Sequence, residues 1–233
     1  TEMVKKIGKP VLVEMWKERF FYFVLKWEFN YIDNSGKASA LSTDQIDVEN
    51  GSRYGIEFVD ESNTPKNPII LHNSPSGAIE RVMYTLLEKA AIDAKEGRKP
   101  QLPLWLAPTQ VRIIPVKNEF VETCKIWAEE LQKHSIQNIR ADVDDRNDSV
   151  GKRIRDAEKE WIPYILVIGE EEIGTRDGGM LAPVLTVRVR KTNDEKKMTE
   201  EELVKDIQSQ IKGKPYSSLN APLLLSKRPV IQV

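Results

Sequence analysis

Two nitrogen-bearing groups of different chemistry stand nine positions apart in this chain: His72, at the end of the apolar run Ile69-Ile70-Leu71, and Arg81, after the small-residue turn Ser74-Pro75-Ser76-Gly77. An imidazole can hold a soft or borderline metal ion. A planar guanidinium can lie flat on an aromatic base while its charge faces phosphate. Upstream, Lys26 and Glu28 alternate along one apolar stretch, and Thr43, Gln45 and Asp47 alternate along the next. If these are neighbouring strands with coincident polar faces, they make a polar sheet floor beside the guanidinium, suited to a polar small molecule. The plain alternatives are a surface Arg81 beside Glu80 and the solvated face of a half-buried antiparallel sheet. His72 alone is insufficient for a catalytic metal, which wants about three protein ligands. His134 and Cys124 lie far along the chain, and no CxxC or HxxxH spacing occurs.

A second polar cluster lies further on. The loop Asp144–Asp148 (DDRND) precedes Gly151, Lys152, Arg153 and Arg155. Basic groups near a helix start can hold phosphates, and Arg146 or Asn147 can bond a splayed base. A charge-balanced surface loop is the competing reading, given five acidic residues in Asp142–Asp156. The run Gly174–Gly179 lacks the GKS or GKT of a phosphate loop and reads as a hairpin tip.

The elements that must position these groups follow from periodicity. Residues 20–33 alternate, with Phe21, Phe23, Leu25, Trp27 and Phe29 on one side, which predicts a strand with one buried face. Asn34–Lys37 is a turn, 43–48 a second strand, Tyr54–Asp60 a third, Ser62–Asn67 a loop and Pro68–His72 a fourth strand. Short turns imply an antiparallel sheet. Gly77 to about Lys95 is an amphipathic helix with Ile79, Val82, Met83, Leu86, Leu87, Ala90 and Ala91 on one face. Glu96–Leu102 reads as a domain boundary. Beyond it strands (110–116, 138–143, 164–169, 185–190) alternate with helices (118–134, 149–161, 199–212), the last opened by a Thr199/Glu202 capping box. This is the grammar of an α/β unit with a parallel or mixed sheet. The tail, 216–233, is apolar in patches and of unknown role.

Composition sets outer limits. The chain has 233 residues, net charge −1 and 40% hydrophobic residues, enough for one large domain or two modest ones. No bulk basic field marks it for nucleic acid, so any such contact rests on local patches. The single Cys124 excludes an internal disulfide and fits a reducing cytoplasm; no apolar run reaches the length of a membrane span. The chain starts at Thr1 and is expected to be a piece of something longer.

The strings KWEFNYID, ALSTDQIDVEN, RYGIEFVD, ILHNSPSGAIERVMYTLLE, PLWLAPTQVRIIPV and ADVDDRNDSVGKRIRDAEKEWIPYILVIGEEE together resemble the C-terminal part of threonyl-tRNA synthetases of the archaeal type, in class IIa. The resemblance covers the whole chain, and the WLAP-x-QV string is its most specific part. It implies residues 1–99 as the end of a class II catalytic domain, with part of its antiparallel sheet and the motif 3 helix. Residues 100–215 would be an α/β anticodon-binding domain with a mixed five-stranded sheet and three helices. It implies a threonine–tRNA ligase using ATP and Mg²⁺, cytoplasmic, a homodimer when complete, with threonine and threonine tRNA as partners and no membrane.

The carry-over is residue by residue. Arg81 matches the motif 3 arginine that stacks on adenine; Lys26 and Gln45 join it in the catalytic set. Thr43, Gln45, Asp47, Gly77 and Arg81 match substrate and ATP positions. His72 matches the last of three zinc ligands. Asn147, Glu172 and Arg188 match anticodon-reading positions, with Arg190 or Arg176 as substitutes for Arg188, because the hairpin before it is longer than usual. Motifs 1 and 2, the other two zinc ligands and an editing domain have no counterpart here, so the isolated chain is expected to be inactive. The alternatives are a non-catalytic synthetase-like tRNA-binding module and a prolyl-tRNA synthetase, the latter disfavoured by Trp105 and His72.

Overall fold

The computed structural model describes residues 2–133, 139–173 and 184–229. The chain divides into two compact units, Thr1–Thr85 and Leu86–Val233.

The first unit holds α1 (Glu2–Ile7), β1 (Phe23–Ile32), β2 (Ala38–Asp47), α2 (Asn50–Arg53), β3 (Phe58–Val59), β4 (Pro65–Lys66), β5 (Ile70–Ser74) and the start of α3 (Ile79–Lys95). β1, β2 and β5 form an antiparallel sheet in that order. The β1–β2 turn is built by Asp33, whose carboxylate accepts from the Ser35 and Lys37 amides. The Lys37 amide, with Tyr84 and Ser35, holds that carboxyl well below the usual range.

The expected third strand over Tyr54–Asp60 does not join this sheet. Asn50–Arg53 turns helical, the Ile56 amide is tied back to Gly51 O, and Gly55 takes φ +64. Only Phe58–Val59 stays extended, paired with Pro65–Lys66 of the expected loop in a separate hairpin. Alternation in YGIEFVD was therefore outweighed by local turn bonds.

Among the described residues of this unit only Asp47 and Gly51 are buried, and no apolar side chain is. The row Leu25, Ile46, Leu71 runs across the face opposite the polar one, with Leu25 54% and Leu71 73% exposed. An antiparallel sheet in water ordinarily covers one face with a core; this one has neither face covered within the unit.

The second unit is built the other way round. Its sheet runs β10 (Asp194–Met198), β9 (Leu185–Val189), β8 (Tyr164–Ile168), β6 (Val111–Pro115), β7 (Ala141–Val143). β6 is parallel to β7 and β8; β9 and β10 are antiparallel additions. Helices α4 (Val121–Lys133) and α6 (Glu200–Ile211) pack Cys124, Trp127, Leu131, Leu203 and Ile207 into the larger core. Helix α5 (Val150–Lys159) packs Ala157 against Ile114 and Ile165 in a smaller one. The Thr199/Glu202 capping box is present in both directions.

The sequence reading located four of these five strands and missed β10. Its DEKKM is exposed apart from the half-buried Met198 and carries no periodicity; it is defined by pairing with β9. The expected tip at Gly174–Gly179, Arg176 and His134 lie outside the described residues.

Cys124 is fully buried, and burial pushes its thiol up to about 12. The folded chain should resist thiol reagents at pH 8 and react at once in denaturant. Rapid stoichiometric labelling under native conditions would contradict this packing.

Candidate functional site

In the first unit the register brings the expected polar floor together. Lys26 sits opposite Gln45, and Gln45 opposite His72; Glu28 sits opposite Thr43, and Thr43 opposite Ser74. Directly opposed residues of an antiparallel pair project to one face. Lys26 Nζ lies 2.7 Å from Glu28 Oε2, which pulls the Glu28 carboxyl below its ordinary range. Tyr22 donates its hydroxyl to Gln45 Oε1 and sets its ring edge-on to His72, centroids 5.6 Å apart. The expected floor did not include Tyr22, because it sits just before β1 in an unbroken aromatic run.

Asp47 is fully buried beneath this floor. Oδ1 accepts the Glu49 and Asn50 amides at 2.9 Å each; Oδ2 accepts from Asn50 Nδ2 at 2.7 Å and lies 2.8 Å from His72 Nε2. Burial pushes this carboxyl up, but the Asn50, His72 and Glu49 bonds outweigh it and hold it well below the usual range. Its four acceptor positions are filled, so it orients His72 and has none left for a ligand.

Arg81 lies at the rim. Its Nη1 donates to Ala40 O at 3.0 Å, leaving the exposed guanidinium beside β2. Gly77 makes this possible: it takes φ +61, and a Cβ there would sit 2.2 Å from Leu41 O. The glycine's close approach is to β2 itself. Its place in the site is to let the turn pass over the sheet.

Among the described residues no three His, Cys, Asp or Glu side chains converge on one point. The donor set at His72 is one imidazole backed by one saturated carboxylate. That does not make a zinc or magnesium site by itself.

In the second unit the loop between β7 and α5 is held at nearly every residue. Arg146 clamps both Asp144 oxygens at 2.8 and 2.7 Å, and Arg153 Nη1 reaches Asp144 O at 2.7 Å. Lys152 Nζ pairs with Asp148 at 2.7 Å, and Ser149 caps α5. The exposed Asn147 has no partner among the described residues. The expected basic helix start is thus mostly neutralised: Lys152 is paired and Arg153 buried, leaving Arg155 exposed.

Glu172 is half-buried; Oε2 accepts the Gly169 amide at 3.0 Å and Oε1 lies 3.5 Å from Thr186 Oγ1. Arg188, two residues beyond Thr186 on the same face of β9, ion-pairs across to Glu195 on β10. Arg190 is committed elsewhere: Nε to Pro100 O and Nη1 to Glu158 O, both at 2.7 Å.

Residues 110–210 match the anticodon binding domain family. Over 232 residues the chain is 64% identical to the threonine–tRNA ligase of Nitrosopumilus maritimus (strain SCM1), covering 100% of this chain and 36% of that protein. Over 230 residues it is 54% identical to that of Pyrococcus horikoshii, covering 98% and 35%. Along essentially its whole length the chain is similar to threonine–tRNA ligases. It spans little more than a third of the length of these curated relatives. A solved RNA binding domain of threonyl-tRNA synthetase from Cryptosporidium parvum Iowa II shares the fold. Its TM-score is 0.66 at 22% identity, over 93% of this chain and 49% of that one.

Among the described residues, no helix is long and apolar enough to cross a membrane.

Proposed function

We propose that this chain is part of a threonine–tRNA ligase, supplying the adenine side of the active site and the anticodon-reading domain. The observation that carries this is the 64% identity to such a ligase along the chain's whole length. The complete enzyme would activate threonine with ATP and Mg²⁺ and pass it to threonine tRNA, as a cytoplasmic homodimer. Residues 1–99 belong to the catalytic part and 100–215 to the anticodon part.

The geometry supports distinct tasks. Arg81, tethered through one nitrogen to Ala40 O, offers its planar face to a base. Lys26, Thr43 and Gln45 offer a cation, a hydroxyl and an amide from one face, enough to orient a polar substrate. Asp47 fixes the His72 ring, and His72 would join a zinc whose other ligands come from the rest of the enzyme. In the second unit Asn147, Glu172 and Arg188 read anticodon bases. Asn147 is the exposed amide on an otherwise clamped loop, and Arg188 would exchange Glu195 for a base edge or phosphate.

Adenylate formation also needs the α-phosphate neutralised for in-line attack, and the 233 residues contain no second arginine motif for that task. The purified chain should therefore give no threonine-dependent ATP–pyrophosphate exchange above background. It should still bind threonine tRNA, more weakly as salt rises. Clear exchange activity would overturn the division of labour. Equal affinity for tRNAs with unrelated anticodons would remove the reading role and favour a non-specific binding module.

A further inference from the structure

The stretch after α6 returns across the second unit and ends against the loop that presents Asn147. Ser217 O accepts from Arg140 Nη1 at 3.1 Å. Residues 222–228 then run beside the open edge of β7: the Val143 amide donates to Leu223 O at 3.0 Å, and Leu224 forms a parallel bridge with Val143. Leu225 is buried, and Leu223 and Leu224 pack on the larger core. Arg228 closes the segment, with Nε on Pro222 O at 2.9 Å and Nη2 2.9 Å from Asp142 Oδ2.

Between these two anchors stands Ser226. Its amide donates to Asp145 Oδ1 at 2.8 Å and its hydroxyl to Asp145 Oδ2 at 2.5 Å. Two donors on one rigid stretch, one to each carboxylate oxygen, fix the plane of that carboxylate as well as its distance. Asp145 is two residues before Asn147. The side chains of Asp144, Arg146, Asp148 and Ser149 all bond within the loop or to α5. Asp145 is held from outside it, by a residue 81 positions later.

We infer that Ser226 and Asp145 are positioning residues that set Asn147 for base reading, so the tail is part of the specificity machinery. This rests on the reading of Asn147 proposed above. The pair is exposed, so its share of global stability is small. A recognition amide, by contrast, must be placed to a fraction of an ångström for its bonds to form. Loss of the clamp should therefore appear in discrimination between anticodons before it appears in folding.

The test uses the 233-residue chain and two transcripts, threonine tRNA and the same tRNA with its anticodon replaced. Ser226→Ala should leave the melting midpoint unchanged and reduce the ratio of the two affinities about 3–10-fold, the value of one hydrogen-bond arrangement. Ser226→Thr, which keeps the hydroxyl, should restore the ratio. In an Asn147→Ala background, Ser226→Ala should have no further effect. An unchanged ratio in Ser226→Ala, with Asn147→Ala lowering it, overturns the positioning role alone. An unchanged ratio in Asn147→Ala overturns the base-reading role and the inference with it. Equal weakening on both transcripts with a lowered melting midpoint reduces Ser226 to a structural contact and also overturns the inference.

Discussion

Replacing Asp142 with alanine should cost the second unit about 3–5 kcal/mol, the penalty for leaving a buried charge without its partner. Arg112 and Asp142 face each other across the parallel β6–β7 pair, and both side chains are fully inaccessible. Arg112 donates Nε and Nη2 to the two Asp142 oxygens at 2.9 Å each. Burial pushes the Arg112 guanidinium towards deprotonation, but Asp142 and Glu160 more than reverse this and raise its proton affinity. Asp142 also accepts Thr109 Oγ1 at 3.0 Å and faces Arg228. One carboxylate thus joins β6, β7 and the tail. After its removal Arg112 keeps, among the described residues, only Glu160, itself half exposed. Native domains hold roughly 5–15 kcal/mol in total, so Asp142→Ala should bring the unit near the threshold of unfolding. Equilibrium denaturation followed by far-UV circular dichroism would measure it. The double change Arg112→Met with Asp142→Leu should be far milder, because it removes both desolvated charges and keeps the volume. A single-mutant cost below about 1 kcal/mol would show that the pair is hydrated or dispensable.

Gly77→Ala should be the most damaging conservative change in the first unit. It meets two obstacles: a left-handed backbone, costing about 1–3 kcal/mol for a residue with a side chain, and a Cβ 2.2 Å from Leu41 O. The clashing atom is main chain of a paired strand, so it cannot swing away as a side chain would. The turn must lift from β2, taking with it the Arg81 bond to Ala40 O. Gly55→Ala is the matched control, since Gly55 has φ +64 with nothing within 4 Å of a Cβ. Amide hydrogen exchange at Ala40–Thr43 should accelerate in Gly77→Ala by about tenfold or more beyond any change in Gly55→Ala, one decade per 1.4 kcal/mol of opening energy. Equal exchange in the two variants would mean that the turn does not lean on β2.

The two halves of the chain were legible to different degrees. The α/β unit announces itself because its strands are short apolar runs and its helices carry apolar faces at helical spacing. That pattern survives single-residue noise. β10 escaped because an edge strand with charges on both faces has no period to read. In the first unit the alternation of β1 and β2 was clear, yet the same alternation in YGIEFVD misled. The Asp47 carboxylate and the Gly51 carbonyl bend the chain there by accepting from the Glu49, Asn50 and Ile56 amides, and hydropathy does not register such bonds.

For the candidate site, residue types at their spacing pointed to His72, Arg81 and the Lys26, Thr43, Gln45 floor. That is so because strand period and turn chemistry are local properties of the chain. Tertiary structure alone decided the rest. It showed that Asp47 is saturated and buried, that Lys152 and Arg153 are spent on the chain's own carboxylate and carbonyl, and that Ser226 reaches Asp145. The Asp47–His72 and Ser226–Asp145 contacts join residues 25 and 81 positions apart, while Lys152 and Arg153 find their partners 4 and 9 positions back. A carboxylate that binds a ligand and one that holds a loop are the same letter in the sequence; which groups fill its acceptor positions is settled only by folding.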